Sequence, residues 1–211
     1  MHALPEPPVR DFSEKLSNNL RESGLSDDTI TKNGLRCCRD INELSRLLGF
    51  QYPTHCGPAI VFPFRTLGGK ALEWCRVKPT NPMRDKNGAE SKYLSPKNGG
   101  VHAYFPVDAL PAINTDQHEL LITEGEKKAL KATQEGFPTI GLTGVDCFAV
   151  KGVLLPELES INWLERRVLI VFDSDRLMNP RVLNAECQIA ASLQARGAIV
   201  RIVQLPGAVP K

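Results

Sequence analysis

Before Ala59 a Pro-rich leader gives way to a polar stretch of weak periodicity over residues 10–20 and then to short helical patterns divided by Gly and by helix-capping residues. Ser23-Gly24-Leu25-Ser26 makes a turn, and Ser26 is placed to cap a short helix, because a hydroxyl can accept from the free N–H groups of a first helical turn. A second helix is predicted over residues 40–48, capped by Asp40, stopped by Gly49, and burying Leu44, Leu47 and Leu48. From Ala59 the pattern becomes short apolar runs broken by Gly and Pro. Ile60-Val61-Phe62-Pro63-Phe64, the turn Leu67-Gly68-Gly69-Lys70 and the run over 71–77 read as a hairpin. Residues 78–100 form a polar loop, and residues 101–107 return as a strand.

The second half alternates strand and helix patterns. Leu120-Leu121-Ile122-Thr123 and Val168-Leu169-Ile170-Val171-Phe172 are apolar runs without polar alternation, which suits parallel strands covered on both faces. Between them lie a helix over 126–134 stopped by Gly136, a strand over 139–142 and a Thr143-Gly144 turn. After them come a helix over 184–196, presenting Cys187, Ile189, Ala190, Leu193 and Gln194 at helical spacing and ending at Gly197, and a strand over 198–205. This order predicts an α/β fold with a doubly wound parallel sheet.

Each of the two runs ends in acid: Glu124-Gly125-Glu126 after the first, Asp173-Ser174-Asp175 after the second. Open parallel sheets bind ligands outside the carboxyl ends of their strands, where both clusters fall. In an extended backbone Asp173 and Asp175 share one side, about 6.5 to 7 Å apart at Cα. A lone Asp after a strand is commonly a cap or turn residue; two clusters in this order are more specific. Oxygen-only ligation suits Mg²⁺ or Mn²⁺ rather than zinc. Clustered carboxylates repel, so one of them is expected to lean on Lys127, Lys128 or Arg176.

Composition narrows the picture modestly. At 211 residues and 42% hydrophobic content, the chain has enough material for a packed core. The net charge of +2 does not by itself announce nucleic acid, but basic residues concentrate in one stretch: Arg65, Lys70, Arg76, Lys78, Arg84, Lys86, Lys92 and Lys97. Such a stretch is either solvated surface or a phosphate-binding wall. No apolar run spans a bilayer and the amino terminus lacks a signal pattern, so a cytoplasmic location is expected. Six scattered cysteines form no Cys-x-x-Cys pair. Cys37, Cys38, His55 and Cys56 lack the usual zinc spacing, and reduced, partly buried thiols are expected. The stop at Pro210-Lys211 reads as a boundary within a longer protein.

Strand, Glu-Gly, helix, strand, then strand and Asp-x-Asp, over residues 120–205, resembles the Toprim domain of DnaG-type primases, topoisomerases and some nucleases. The preceding Ile60-Val61-Phe62-Pro63-Phe64, the Gly-rich turn, Arg76 and Ser91-Lys92-Tyr93-Leu94-Ser95-Pro96 resemble, in the same order, the basic subdomain of DnaG-type primase cores. Similar modules occur in plasmid and phage replication proteins, often joined to a helicase. The resemblance implies a basic mixed α/β subdomain over residues 1–110 and a Toprim-like domain over 111–211, meeting at a groove. It implies Glu124 as catalytic acid/base and metal ligand, Asp173 and Asp175 as further ligands of Mg²⁺ or Mn²⁺, and Arg76 and Lys92 in contact with template or nucleotide. Lys78, Tyr93, Lys127, Lys128 and Arg176 complete the expected nucleic-acid and nucleotide contacts. Where such primases commonly carry Asp three residues after the Glu-Gly glycine, this chain has Lys128. The implied activity is metal-dependent nucleotidyl transfer: RNA primer synthesis from nucleoside triphosphates on single-stranded DNA, with a helicase domain or partner. The alternatives are a Toprim nuclease and a noncatalytic module docking single-stranded DNA or a helicase.

Overall fold

The structure is a computed structural model that describes residues 18–85, 87–115, 118–173 and 179–205. Lys86, Asp175 and Arg176 lie outside the described residues. The chain divides into two compact units, Met1–Pro63 with Glu73–Gly99, and Phe64–Leu72 with Gly100–Lys211.

In the first unit the capping residues act as the sequence suggests. The helix Asp27–Lys32 begins at Ser26, whose Oγ accepts from the Thr29 amide at 3.1 Å. The helix Ile41–Leu48 begins at Asp40, whose Oδ1 accepts from the Asn42 amide at 2.8 Å, and closes on Gly49 in the left-handed region. Leu44 and Leu48 are buried and Leu47 packs beside them, in a core shared with Tyr52, Cys56, Val61, Val77 and Leu94. Strands β1 (Arg36–Cys38), β2 (Ala59–Arg65) and β3 (Ala71–Pro79) form a sheet in the order β1-β2-β3. The polar loop after β3 contains a small hairpin of β4 (Met83–Arg84) and β5 (Glu90–Ser91).

In the second unit four parallel strands form one sheet: β6 (Leu120–Glu124), β7 (Thr139–Leu142), β10 (Arg167–Val171) and β11 (Ile199–Ile202). Strands β8 (Ala149–Val150) and β9 (Val153–Leu154) make a separate hairpin between β7 and β10. The order across the parallel sheet is β11-β10-β6-β7. The chain therefore leaves β6 toward one edge and β10 toward the other. Crossovers between parallel strands are almost always right-handed, so two that run in opposite directions put their helices on opposite faces. The helix Glu126–Gln134 packs on β6 and β7, and the helix Pro180–Gln194 on β11. Leu120, Ile122, Ile140, Leu142, Val168 and Ile170 fill the core between them.

Three expectations need correction. The strand expected at 101–107 is a single bridge, Tyr104 with Gly141, because Pro106 offers no N–H to extend a ladder and the chain turns into a 3₁₀ turn, Val107–Ala109. The last helix starts at Pro180 rather than residue 184, since Asn179 caps it and proline suits a first helical position. Its buried face carries Val182, Ala185, Glu186, Ile189, Ala190 and Leu193, whereas Cys187 and Gln194 are exposed. The cysteines are free; Cys38, Cys56 and Cys75 are buried. Among the described residues no helix is long and apolar enough to cross a membrane.

Candidate functional site

Glu124 is the last residue of β6 and pairs in register with Leu142 of β7. The next residue, Gly125, has φ +88°, donates to the Leu142 carbonyl at 2.7 Å, and is at once the N-cap of the helix Glu126–Gln134. A strand that passes into a helix without a loop needs this positive φ, which glycine adopts at little cost. The space behind the turn is just as tight. A Cβ on Gly141 of β7 would lie 3.0 Å from the Ala129 Cβ, 3.2 Å from the Tyr104 Cβ and 3.3 Å from the Gly125 carbonyl oxygen. Two glycines thus hold the helix start against the sheet directly after Glu124.

On the neighbouring strand, Val171 of β10 pairs with Thr123 of β6, and the Thr123 hydroxyl donates to the Val171 carbonyl at 2.7 Å. Phe172 turns into the core and Asp173 stands exposed beyond it. Glu124 and Asp173 therefore lie at the carboxyl ends of adjacent parallel strands. These are the two strands between which the direction of the sheet order reverses, the place where open α/β sheets bind ligands. Lys128, in the first turn of the helix after Gly125, reaches Asp173, with Nζ 2.5 Å from Oδ1. Lys127 beside it is half-buried. One further pair, which sequence reasoning missed, lies at the same end of the sheet. Arg181, in the first turn of the helix Pro180–Gln194, donates through Nε to Asp146, in the loop after β7. The Thr143-Gly144 turn marked that loop, but a single Asp within it gave no pattern to read.

Of the residues expected to meet nucleic acid, Arg76, Lys78, Lys92 and Tyr93 lie in the first unit. The Val77 and Leu94 backbones exchange hydrogen bonds of 2.9 and 2.8 Å, pinning the Lys92-Tyr93-Leu94 stretch to β3. The Arg76 guanidinium sits 4.7 Å from the centre of the Tyr93 ring, a cation–π contact, and Phe62 lies 6.1 Å from the same ring. Lys78 donates to the Asn19 side chain at 2.8 Å, and Lys92 is exposed. A cavity of about 380 Å³ in the second unit is lined by Arg65, Thr66, Leu67, Gly68, Leu72, His102, Glu157 and Ser160, and includes none of the expected site residues.

The donor chemistry suits a hard cation, because Glu124 and Asp173 offer carboxylate oxygens only. Among the described residues no group of three or more His, Cys, Asp or Glu side chains is gathered to hold a metal. The third expected ligand, Asp175, lies outside them. One Asp173 oxygen already carries the Lys128 ammonium.

Fold and site together define an α/β domain with carboxylates at the switch point of a four-stranded parallel sheet. Residues 112–211 match a family described as a domain of unknown function, DUF3854. Among solved structures, the zinc-binding and RNA polymerase domains of the Aquifex aeolicus primase superpose with TM-score 0.64 at 17% identity, over 94% of this chain and 53% of that one. The chain thus spans about half the length of that structure. The RNA polymerase domain of Mycobacterium tuberculosis primase DnaG gives TM-score 0.64 at 14% identity, over 95% of this chain and 71% of that one. The same domain in complex with double-stranded DNA gives 0.51 at 15%, over 92% and 69%. A comparison with curated proteins finds no match. The chain has the fold of a DnaG-type primase RNA polymerase domain.

Proposed function

We propose that this chain is a primase-type catalytic core, a DNA-directed nucleotidyltransferase that joins nucleoside triphosphates into RNA primers on single-stranded DNA. Its setting in this reading is the cytoplasmic replication machinery of a plasmid or phage, with a helicase domain or partner. The observation that supports it most is the placement of Glu124 and Asp173 at the carboxyl ends of the adjacent strands at the switch point of a sheet whose fold is that of primase polymerase domains.

Glu124 takes the proton of the attacking 3′-hydroxyl, the work of a general base held by a rigid strand end. Asp173, with Asp175 and Glu124, would hold Mg²⁺ or Mn²⁺, which when bound offsets charge on the phosphoryl oxygens. Lys127, Lys128 and Arg176 sit in sequence beside the two acidic clusters and are assigned to the triphosphate. Arg76, Lys78 and Lys92 are assigned to strand phosphates, and Tyr93, with Arg76 over its ring, to a base.

The Lys128–Asp173 ion pair favours one second reading, a module that binds single-stranded DNA or a helicase without chemistry, because a satisfied carboxylate has less need of a metal. Incubating the chain with labelled ribonucleoside triphosphates, a single-stranded template and Mg²⁺ or Mn²⁺ separates the readings. Template-dependent, metal-dependent oligomers support the polymerase. Cleaved DNA supports a Toprim nuclease instead, and strand binding with neither product supports the docking module.

A further inference from the structure

We propose that Lys128 is a built-in counter-ion that competes with a divalent metal for Asp173, so that the metal occupancy of this end of the sheet is set by a lysine of the chain itself. The proposal rests on the metal reading given above and adds to it the element that regulates loading.

The fold fixes where Lys128 lies. It is the third residue of the helix Glu126–Gln134, and that helix starts at Gly125, directly after Glu124. The turn that delivers Glu124 to the carboxyl end of β6 therefore also delivers the ammonium of Lys128, whose Nζ lies 2.5 Å from Asp173 Oδ1. The next lysine on the helix, Lys131, is turned away and pairs with Glu135. Arg181, the described cation in the first turn of the helix after β10, pairs with Asp146. Among the described ion pairs, Lys128 is thus the cation assigned to Asp173.

An ammonium ion and a divalent cation on one carboxylate repel each other, so a metal that takes Asp173 must first displace the lysine. The displacement is feasible. The side chains of Lys128 and Asp173 are 47% and 51% exposed, and ion pairs this exposed hold their partners weakly. The lysine thus lowers metal affinity without closing the site. At low metal it neutralises Asp173; at high metal, or when a nucleotide brings a metal with it, it is released toward the incoming phosphates.

The test is a titration of Mn²⁺ into the chain, read by the loss of the free-ion electron paramagnetic resonance signal. It compares wild type with Lys128→Gln, Lys128→Arg and Asp173→Asn, after thermal melts establish that each variant is folded. Competition predicts that Lys128→Gln binds Mn²⁺ about tenfold more tightly, the effect of removing one weakly held counter-ion and its repulsion. It also predicts that Lys128→Arg stays within about twofold of wild type, since it keeps the charge. Asp173→Asn should lose the site. Equal or weaker binding by Lys128→Gln, with Asp173→Asn still defective, overturns the competition while leaving the metal reading intact. Undiminished binding by Asp173→Asn overturns both.

Discussion

Gly141 of β7 faces three atoms brought from residues 104, 125 and 129. Gly141→Ala pushes a methyl group into the Ala129 and Tyr104 Cβ atoms and should destabilise the second unit by about 1 to 3 kcal/mol, the usual cost of overpacking. Urea unfolding measures it. An unchanged midpoint would mean that the helix does not press on β7 as described. Because the role of Gly141 depends on residues distant in sequence, it was not readable there. Residues whose chemistry acts on their own backbone were. Ser26 and Asp40 were readable as caps because a hydroxyl or carboxylate before a helical pattern has one obvious use. The Glu124-Gly125 pair was readable for a similar reason, since a glycine between strand and helix patterns implies a positive φ.

At the scale of elements, hydrophobic pattern located most strands and helices but misplaced those whose limits are set by proline or by distant partners. Pro180 began a helix that the apolar pattern alone started four residues later, and Pro106 ended a strand before it formed. The helix Leu110–Ile113 depends on a contact that no local pattern shows. Arg166, fully buried, donates to the carbonyls of Ala112, Ile113 and Thr115 at and just after the helix end, where intrahelical partners run out. Arg166→Met removes these three donations and should cost about 2 to 4 kcal/mol; a loss under about 0.5 kcal/mol in urea unfolding would contradict the clamp.

In the first unit, the Cys38 thiol and then the Arg36 guanidinium of β1 hydrogen-bond Glu43 on the following helix and hold its carboxyl below the ordinary carboxylate value. A carboxylate lowered in the folded state contributes stability above its unfolded pKa and loses it as pH falls through the lower, folded value. The difference in Tm between wild type and Glu43→Gln should therefore stay constant from about pH 8 to pH 5 and shrink at lower pH. A difference that persists unchanged at pH 3 would remove the linkage.

At the scale of the whole molecule, the α/β class and the two acidic strand ends were legible, but the sheet order was not. Local pattern shows that β6 and β10 are strands; it does not show that they are neighbours. That adjacency, in the order β11-β10-β6-β7, puts Glu124 and Asp173 at neighbouring strand ends. Lys128 was legible as a basic residue near the acids, while its bond to Asp173 needed the helix and β10 to be placed together.

The nucleotidyl transfer proposed for this end of the sheet, with Glu124 as its base, is tested by measuring template-dependent ribonucleotide incorporation by wild type and Glu124→Gln at saturating Mn²⁺. Gln keeps the size and hydrogen bonding of Glu but cannot accept the proton, so wild type should incorporate and the variant should be slower by about 10²- to 10⁴-fold, with single-stranded DNA affinity unchanged. Equal rates in the two proteins, or DNA binding by wild type without any incorporation, would contradict it.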